Sequence, residues 1–282
     1  YRDVAWLLKR QAVTVLPSVG SLKALRVFAQ KGKAAKPMIG FGDPVFGPEP
    51  RGGAEKRTVA AKTRSFADFW QGASVDRDTL AASLPRLEDT ADELNAIAKS
   101  VGAAPGDIYL RHAASETNVK RLPLSEFRTV YFATHGLVAG DVKGLAEASL
   151  ALTLPKAPTE LDDGLLTASE VAQLKLNADW VVLSACNTIA GDRPGAEALS
   201  GLARAFFYAG ARALLVSHWA VESAAATRLT TSTFDIIKSD PKVGSAEALR
   251  RAMLAYMNDT STTNAYPAFW APFSLIGEGV AR

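Results

Sequence analysis

The sequence predicts an α/β fold, a mainly parallel sheet with helices on both faces. Three observations lead there. Short apolar runs rich in Val, Leu, Phe and Tyr, such as FRTVYFATHG and ADWVVLSAC, stop at turn residues and read as buried strands. Amphipathic stretches of helical period stand between them. The alternation of the two continues over about 250 residues, the pattern of a parallel sheet covered on both sides.

The elements follow in order. QAVTVLP reads as a strand and SLKALRVFAQ as a helix, with Ser18 or Ser21 as its cap. KPMIGFGDP is a strand closed by a turn at Gly42-Asp43-Pro44. Residues 47 to 80 hold no consistent period and read as a long surface excursion. LPRLEDTADELNAIAKSVG is an amphipathic helix, with Leu87, Ala91, Leu94, Ile97, Ala98 and Val101 at helical spacing and Gly102 at its end. DIYLRHA is a short strand, and the strand ending at His135 comes next. SLALTLP reads as a strand and LTASEVAQL as a short helix with Thr167 and Glu170 in capping-box spacing. ALSGLARAFFYAG is a helix stopped by Gly210, and ARALLVSHWAV a buried strand. SAAATRLTTSTFDIIKS and SAEALRRAMLAYMN are amphipathic helices, and FWAPFSLIGEG closes the chain as a strand.

Composition bounds the function. The chain has 282 residues, 48% hydrophobic and 22% charged, an ordinary globular mixture. No run approaches the ~18 apolar residues of a membrane span, and no signal-peptide pattern opens it. It begins at Tyr1 rather than Met, so a piece of a longer protein is expected. One cysteine excludes an internal disulfide framework and suits a reducing, cytoplasmic compartment. The net charge of +3 is too small to argue for nucleic acid. Residues 23 to 64 carry ten Lys/Arg, but no stacking aromatics interleave with them, so they read as a solvated face and loop.

The chemistry concentrates at two strand exits. In an open parallel sheet, groups just past the carboxyl ends of strands share one crevice. Cys186 ends one apolar run and His135 another, the arrangement a cysteine nucleophile with a histidine base requires. They lie 51 residues apart, close to the ≈ 50 by which the caspase histidine precedes its cysteine. Ser184-Ala185-Cys186 shares only Ala-Cys with the caspase signature. Each residue has a plainer reading: a buried structural thiol, and a core histidine bonded to backbone. His218, in Ser217-His218-Trp219, is the rival base, and His112 takes no role. Gly136 lets backbone approach a substrate, and its N–H and that of Cys186 are the oxyanion candidates. Asp43 either pairs with a basic substrate residue or bonds its own backbone in Gly-Asp-Pro. Ser217 and Trp219 are candidate substrate-binding residues: an extended substrate would add against the strand ending at Ser217 to Val221, with Trp219 lining a pocket.

Other chemistries lack their residues. There is no Gly-x-Ser-x-Gly elbow. Gly40-Phe41-Gly42-Asp43-Pro44 lacks the third glycine of a dinucleotide loop, and no Walker motif is present. Three scattered histidines and one cysteine do not show zinc-ligand spacing, so no metal and no cofactor is expected.

LPSVGSLKALR, IGFGDPVF, LPRLEDTADELNAIA, VYFATHG, DGLLTASEVAQLKLNADWVVLSACNT, GLARAFFYAGARALLVSHWAV, AEALRRAM and YPAFWAPFSLIGEG together resemble, in order, the blocks of the CHAT family. These are caspase-like cysteine peptidases, often fused to tetratricopeptide repeats and distantly related to separase. The resemblance implies a caspase-like sandwich over 36–282, with 1–35 ending a preceding region. It implies His135 as catalytic histidine and Cys186 as nucleophile, a protein or peptide substrate, and a tetratricopeptide-repeat region or partner as regulator. The chain departs from the family at Asn187-Thr188-Ile189, where Glu/Gln-Thr-Gly is common, at His218, where Leu is common, and at Tyr266-Pro267, where His-Pro is common. The rival classes are a catalytically silent interaction module and a redox-sensing thiol.

Overall fold

The computed structural model describes residues 1–16, 34–47, 80, 84–137, 145, 147–184, 198–219, 222–260 and 265–279. Cys186, the oxyanion candidate at its N–H, the SLKALRVFAQ helix, nearly all of the 47–80 excursion and Val221 lie outside them.

A seven-stranded sheet forms the centre, in the order β1-β10-β9-β8-β4-β2-β3. Its strands are β1 (Thr14–Val15), β2 (Lys36–Gly42), β3 (Ile108–Leu110), β4 (Phe127–Ala133), β8 (Trp180–Ser184), β9 (Ala213–Ser217) and β10 (Phe273–Gly277). All pairs are parallel except β9 with β10. A smaller antiparallel sheet joins β5 (His135–Leu137), β6 (Ser149–Ala151) and β7 (Leu165–Thr167).

The period-2 alternation of side chains divides the core between the two faces. Ile39, Phe41, Val130, Phe132, Val181, Leu183, Leu214 and Val216 point to one face. There they meet α2 (Glu116–Arg121), α3 (Ala168–Val171) and α4 (Ala198–Ala209) through residues such as Val119, Val171 and Phe206. Met38, Tyr131, Trp180, Val182, Ala213 and Leu215 point to the other. α1 (Asp89–Val101), α5 (Ser223–Ser239) and α6 (Ser245–Asn258) cover that face. The fold is thus the α/β sandwich expected, helices on both sides of a mainly parallel sheet.

α1 seats on β2 because β2 offers glycines there. A Cβ at Gly42 would lie 2.5 Å from Leu94 Cδ1, so any side chain there would force Leu94 to shift. That approach carries Thr90 and Glu93 to the carboxyl edge of the sheet. The helix ends at Gly102, left-handed at φ 74°, whose N–H donates to the Ala98 carbonyl. The Thr167–Glu170 capping box is present, with Glu170 bonding back to the Thr167 N–H.

Three strand expectations change in detail. The first strand shrinks to two residues at the sheet edge, β1. FRTVYFATHG is not one strand: it breaks at Thr134, whose hydroxyl donates to the Ala151 carbonyl, and His135 begins β5 of the small sheet. FWAPFSLIGEG is also divided. Pro267 opens a short helix, α7 (Pro267–Trp270), and the strand starts only at Phe273, after Pro272.

Candidate active site

β2 has β3 on one side and β4 on the other, so the chain passes from β2 outward to β3 and then reverses across β2 to β4. Such a reversal opens a crevice beyond the carboxyl ends of the strands involved. Asp43 follows β2, His135 lies two residues after the end of β4, and Cys186 lies two residues after the end of β8 in sequence. β4 and β8 are hydrogen-bonded neighbours with Ala133 opposite Ser184. The two chain exits that lead to the imidazole and the thiol therefore start level, one strand spacing of about 4.8 Å apart.

His135 is buried, its ring 5.3 Å from that of Phe46. Its Nε2 is 2.8 Å from the Pro85 carbonyl oxygen. A carbonyl only accepts, so Nε2 carries the proton and the Nδ1 lone pair is left to act as base. Burial pushes the imidazole below its ordinary value, opposed by the bond to Pro85. The ring is therefore neutral at pH 7, the form a base needs. Gly136 stands opposite Leu150 in the small sheet.

Asp43 is left-handed at φ 44° and 2% exposed. Its carboxylate accepts from Arg86 Nε and Nη2, both at 2.9 Å, and from Arg111 Nη1 at 3.2 Å. The turn-aspartate reading, a side chain bonded to its own backbone, is thus replaced by a clamp of two guanidinium groups. Arg86 is the neighbour of Pro85, so this clamp also fixes the segment that bonds His135.

Ser217 is buried at the end of β9, which is paired on both sides. His218 turns toward β10, with Nε2 2.6 Å from Ser274 Oγ, and burial lowers its pKa. The Trp219 indole N–H donates to the Ala268 carbonyl at 3.0 Å, and the residue is 37% exposed. His112 sits in a short 3-10 helix after β3.

An open cleft lies at the same edge, walled by Asp89, Glu93, Thr134, Ser184, Ser217 and Phe273. Glu93 was not singled out from the sequence. It is 3% exposed and accepts from Tyr131 OH, from Thr230 Oγ1 at 3.1 Å and from Ser184 Oγ at 3.3 Å. Burial raises its pKa, against the opposing effect of those three hydroxyls. A signal was present: Glu93 falls on the buried stripe of α1, four residues before Ile97. Pro85, Arg86 and Arg111 carry no comparable signal. Among the described residues, no three His, Cys, Asp or Glu gather as a metal site.

Fold and site together define the class: an α/β sandwich, a mainly parallel sheet between helices, with a histidine at a central strand exit. The CHAT domain family model matches residues 1–278, and the chain belongs to the CHAT family. It is 33% identical over 120 residues to Tetratricopeptide repeat protein 28 of Mus musculus, and likewise to that of Homo sapiens. Those matches cover 41% and 43% of this chain but only 4% and 5% of the relatives. Among solved structures it is similar to the Arg-specific cysteine proteinase gingipain R, at TM-score 0.46 and 14% identity, covering 68% of this chain and 42% of that one. The complex of the pro- and mature domains of the Porphyromonas gingivalis proteinase matches at TM-score 0.42 and 12% identity, covering 67% and 42%. Among the described residues, no helix is long and apolar enough to cross a membrane.

Proposed function

We propose that this chain is a cysteine endopeptidase working through a His135–Cys186 dyad. The observation that carries the reading is the level register of Ala133 and Ser184, each two residues before one partner, together with a buried His135 whose Pro85 bond leaves Nδ1 as the base. The Cys186 thiol gives its proton to Nδ1, and the thiolate attacks the scissile carbonyl carbon. The negative oxygen is met by the N–H groups of Gly136 and Cys186. The imidazolium then protonates the departing amine, and water, deprotonated by the same ring, releases the acyl group.

The substrate strand pairs with residues beyond Ser217, since β9 itself is paired on both sides. Trp219 forms a wall. A basic residue precedes the scissile bond; recognition by Asp43 requires Arg86 to give way, because both of its oxygens are taken. The catalytic unit runs from residue 36, and residues 1–35, which supply β1 of the central sheet, dock on it: Arg2 donates to the Met257 carbonyl at 3.1 Å. A tetratricopeptide-repeat region or partner acts as regulator, cytoplasmic like the thiol it controls.

The test is cleavage of a fluorogenic peptide library combined with alkylation of Cys186. Cys186→Ala should abolish turnover, and His135→Ala should lower it by about 10²–10⁴-fold. Wild-type turnover in His135→Ala overturns the dyad. Alkylation without turnover favours a dormant or redox-sensing thiol instead.

A further inference from the structure

Eight of the eleven residues lining the cleft carry a carboxylate or a hydroxyl, and none of the eleven is cationic. We infer that this cleft holds the basic side chain of the substrate, arginine or lysine, with Glu93 as its acidic partner. The assignment rests on the peptidase reading and moves recognition of the cation away from Asp43.

The depth of the cleft suits such a side chain. Asp89 is exposed at its rim, while Glu93, Thr134 and Ser217 are buried at its floor. Asp89 and Glu93 lie four residues apart on α1, on one face of the helix and about 6 Å apart along its axis. That is about the length of the aliphatic stem that joins the arginine backbone to its guanidinium. The head group reaches Glu93 after the stem has passed Leu87 and Phe273, both of which line the cleft.

Glu93 has acceptor capacity left for it. Oε1 takes both Tyr131 OH and Thr230 Oγ1. Oε2 takes Ser184 Oγ at 3.3 Å, a long contact that leaves lone-pair directions open to the cleft. Asp43, by contrast, is already held bidentate by Arg86 and again by Arg111. Ser184 also fixes the distance to the chemistry: it lines the cleft and stands two residues before Cys186. A side chain seated on Glu93 therefore belongs to a residue whose backbone passes the end of β8. A buried carboxylate without a cation is unfavourable, and a guanidinium with several donors relieves it while bonding the surrounding hydroxyls.

The experiment is titration calorimetry of benzamidine, an amidinium probe, and of neutral benzamide on the full chain. It is paired with kcat/KM for peptides that differ only in arginine or citrulline before the scissile bond. Benzamidine should bind wild type and Cys186→Ala alike, because binding needs no thiol, and benzamide should not. Glu93→Gln, close to isosteric, should weaken benzamidine and lower the arginine-to-citrulline ratio by roughly 10- to 100-fold, the range for a lost hydrogen bond to a charged group. Thr227→Lys, at a half-buried wall position, sets an ammonium in the cleft and should abolish benzamidine binding even where Glu93→Gln folds poorly. Failure of wild type to bind benzamidine overturns the inference, as does equal binding by Glu93→Gln or by Thr227→Lys. Loss of binding in Asp43→Asn with retention in Glu93→Gln returns the cation to Asp43. Benzamidine binding without peptide turnover leaves the cleft standing and removes the peptidase reading.

Discussion

Replacing Arg86 with Ala tests how His135 is oriented, because Arg86 fixes the residue whose carbonyl bonds the imidazole. The Asp43 carboxylate is 3% exposed and takes two bonds from Arg86 at 2.9 Å; Arg111 alone remains after the substitution, at 3.2 Å. Hydrogen bonds to a charged group contribute about 1.5–3 kcal/mol. Arg86 is itself 46% exposed, so solvent screening discounts the pair, and the expected loss of stability is about 1–3 kcal/mol. The second effect is catalytic. With the Arg86 clamp gone, the Pro85 carbonyl loses its fixed place against Nε2, and the bias toward the Nε2–H tautomer weakens by the ~0.5–1.5 kcal/mol of one hydrogen bond. At 1.36 kcal/mol per tenfold, kcat should fall roughly 2- to 12-fold with KM little changed. The assays are denaturant unfolding, steady-state kinetics and ¹⁵N NMR of the His135 ring, which reads the tautomer without any substrate. Unchanged ring shifts and unchanged kcat, with stability lowered as expected, would show that the clamp braces the fold and has no hold on the histidine.

Three further outcomes follow from the same geometry. His218→Leu should keep most of the turnover, because its Nε2 is engaged by Ser274 on the β10 side; abolished turnover there, with His135→Ala active, reverses the two roles. Gly210→Ala should destabilise by about 2–4 kcal/mol in thermal unfolding, since φ is 112° and the new Cβ would sit 2.4 Å from the Leu176 carbonyl oxygen; a wild-type midpoint refutes it. The raised pKa of Glu93 means that the native state holds a proton which the unfolded chain releases near 4.5. Its contribution is therefore present at low pH and lost as pH rises from there through the raised native value, and Glu93→Gln should flatten that part of the stability–pH curve.

Period and punctuation made most of the architecture legible. Val181, Leu183, Leu214 and Val216 alternate with Val182 and Leu215 along strands buried on both sides, and such runs carry their own signal. Gly102 and Gly210 marked helix ends because the left-handed region requires glycine there. The break at Thr134 was not legible, since a single side-chain bond to Ala151 turns the chain and no local propensity records it. The antiparallel pairing of β10 with β9 escaped for the same reason, being a matter of tertiary direction rather than of local pattern. Of the site, the residue types at the strand exits could be read, but their partners could not. Pro85 acts through its carbonyl, which every residue has. The Asp43–Arg86 pair spans 43 positions and the Asp43–Arg111 pair 68.

The clamp and the cleft place their acids in opposite circumstances, and that difference assigns their work. Asp43 and Glu93 are equally buried, at 2% and 3% exposure. A buried carboxylate needs either a cation or several donors. Asp43 has two guanidinium groups of the chain itself, so a substrate cation would have to displace one of them. Glu93 has three hydroxyls, which solvate the carboxyl only in part, and its pKa is raised in consequence. A group so held gains when a cation arrives, whereas a group already paired does not. The same carboxyl ties α1 to β4 through Tyr131, to β8 through Ser184 and to α5 through Thr230. A cation drawn toward Glu93 therefore pulls on Ser184, two residues before Cys186 in the chain. On the proposed peptidase reading, occupancy of the cleft and placement of β8 would be coupled through one side chain, and this coupling would let a substrate residue that does no chemistry raise kcat as well as lower KM.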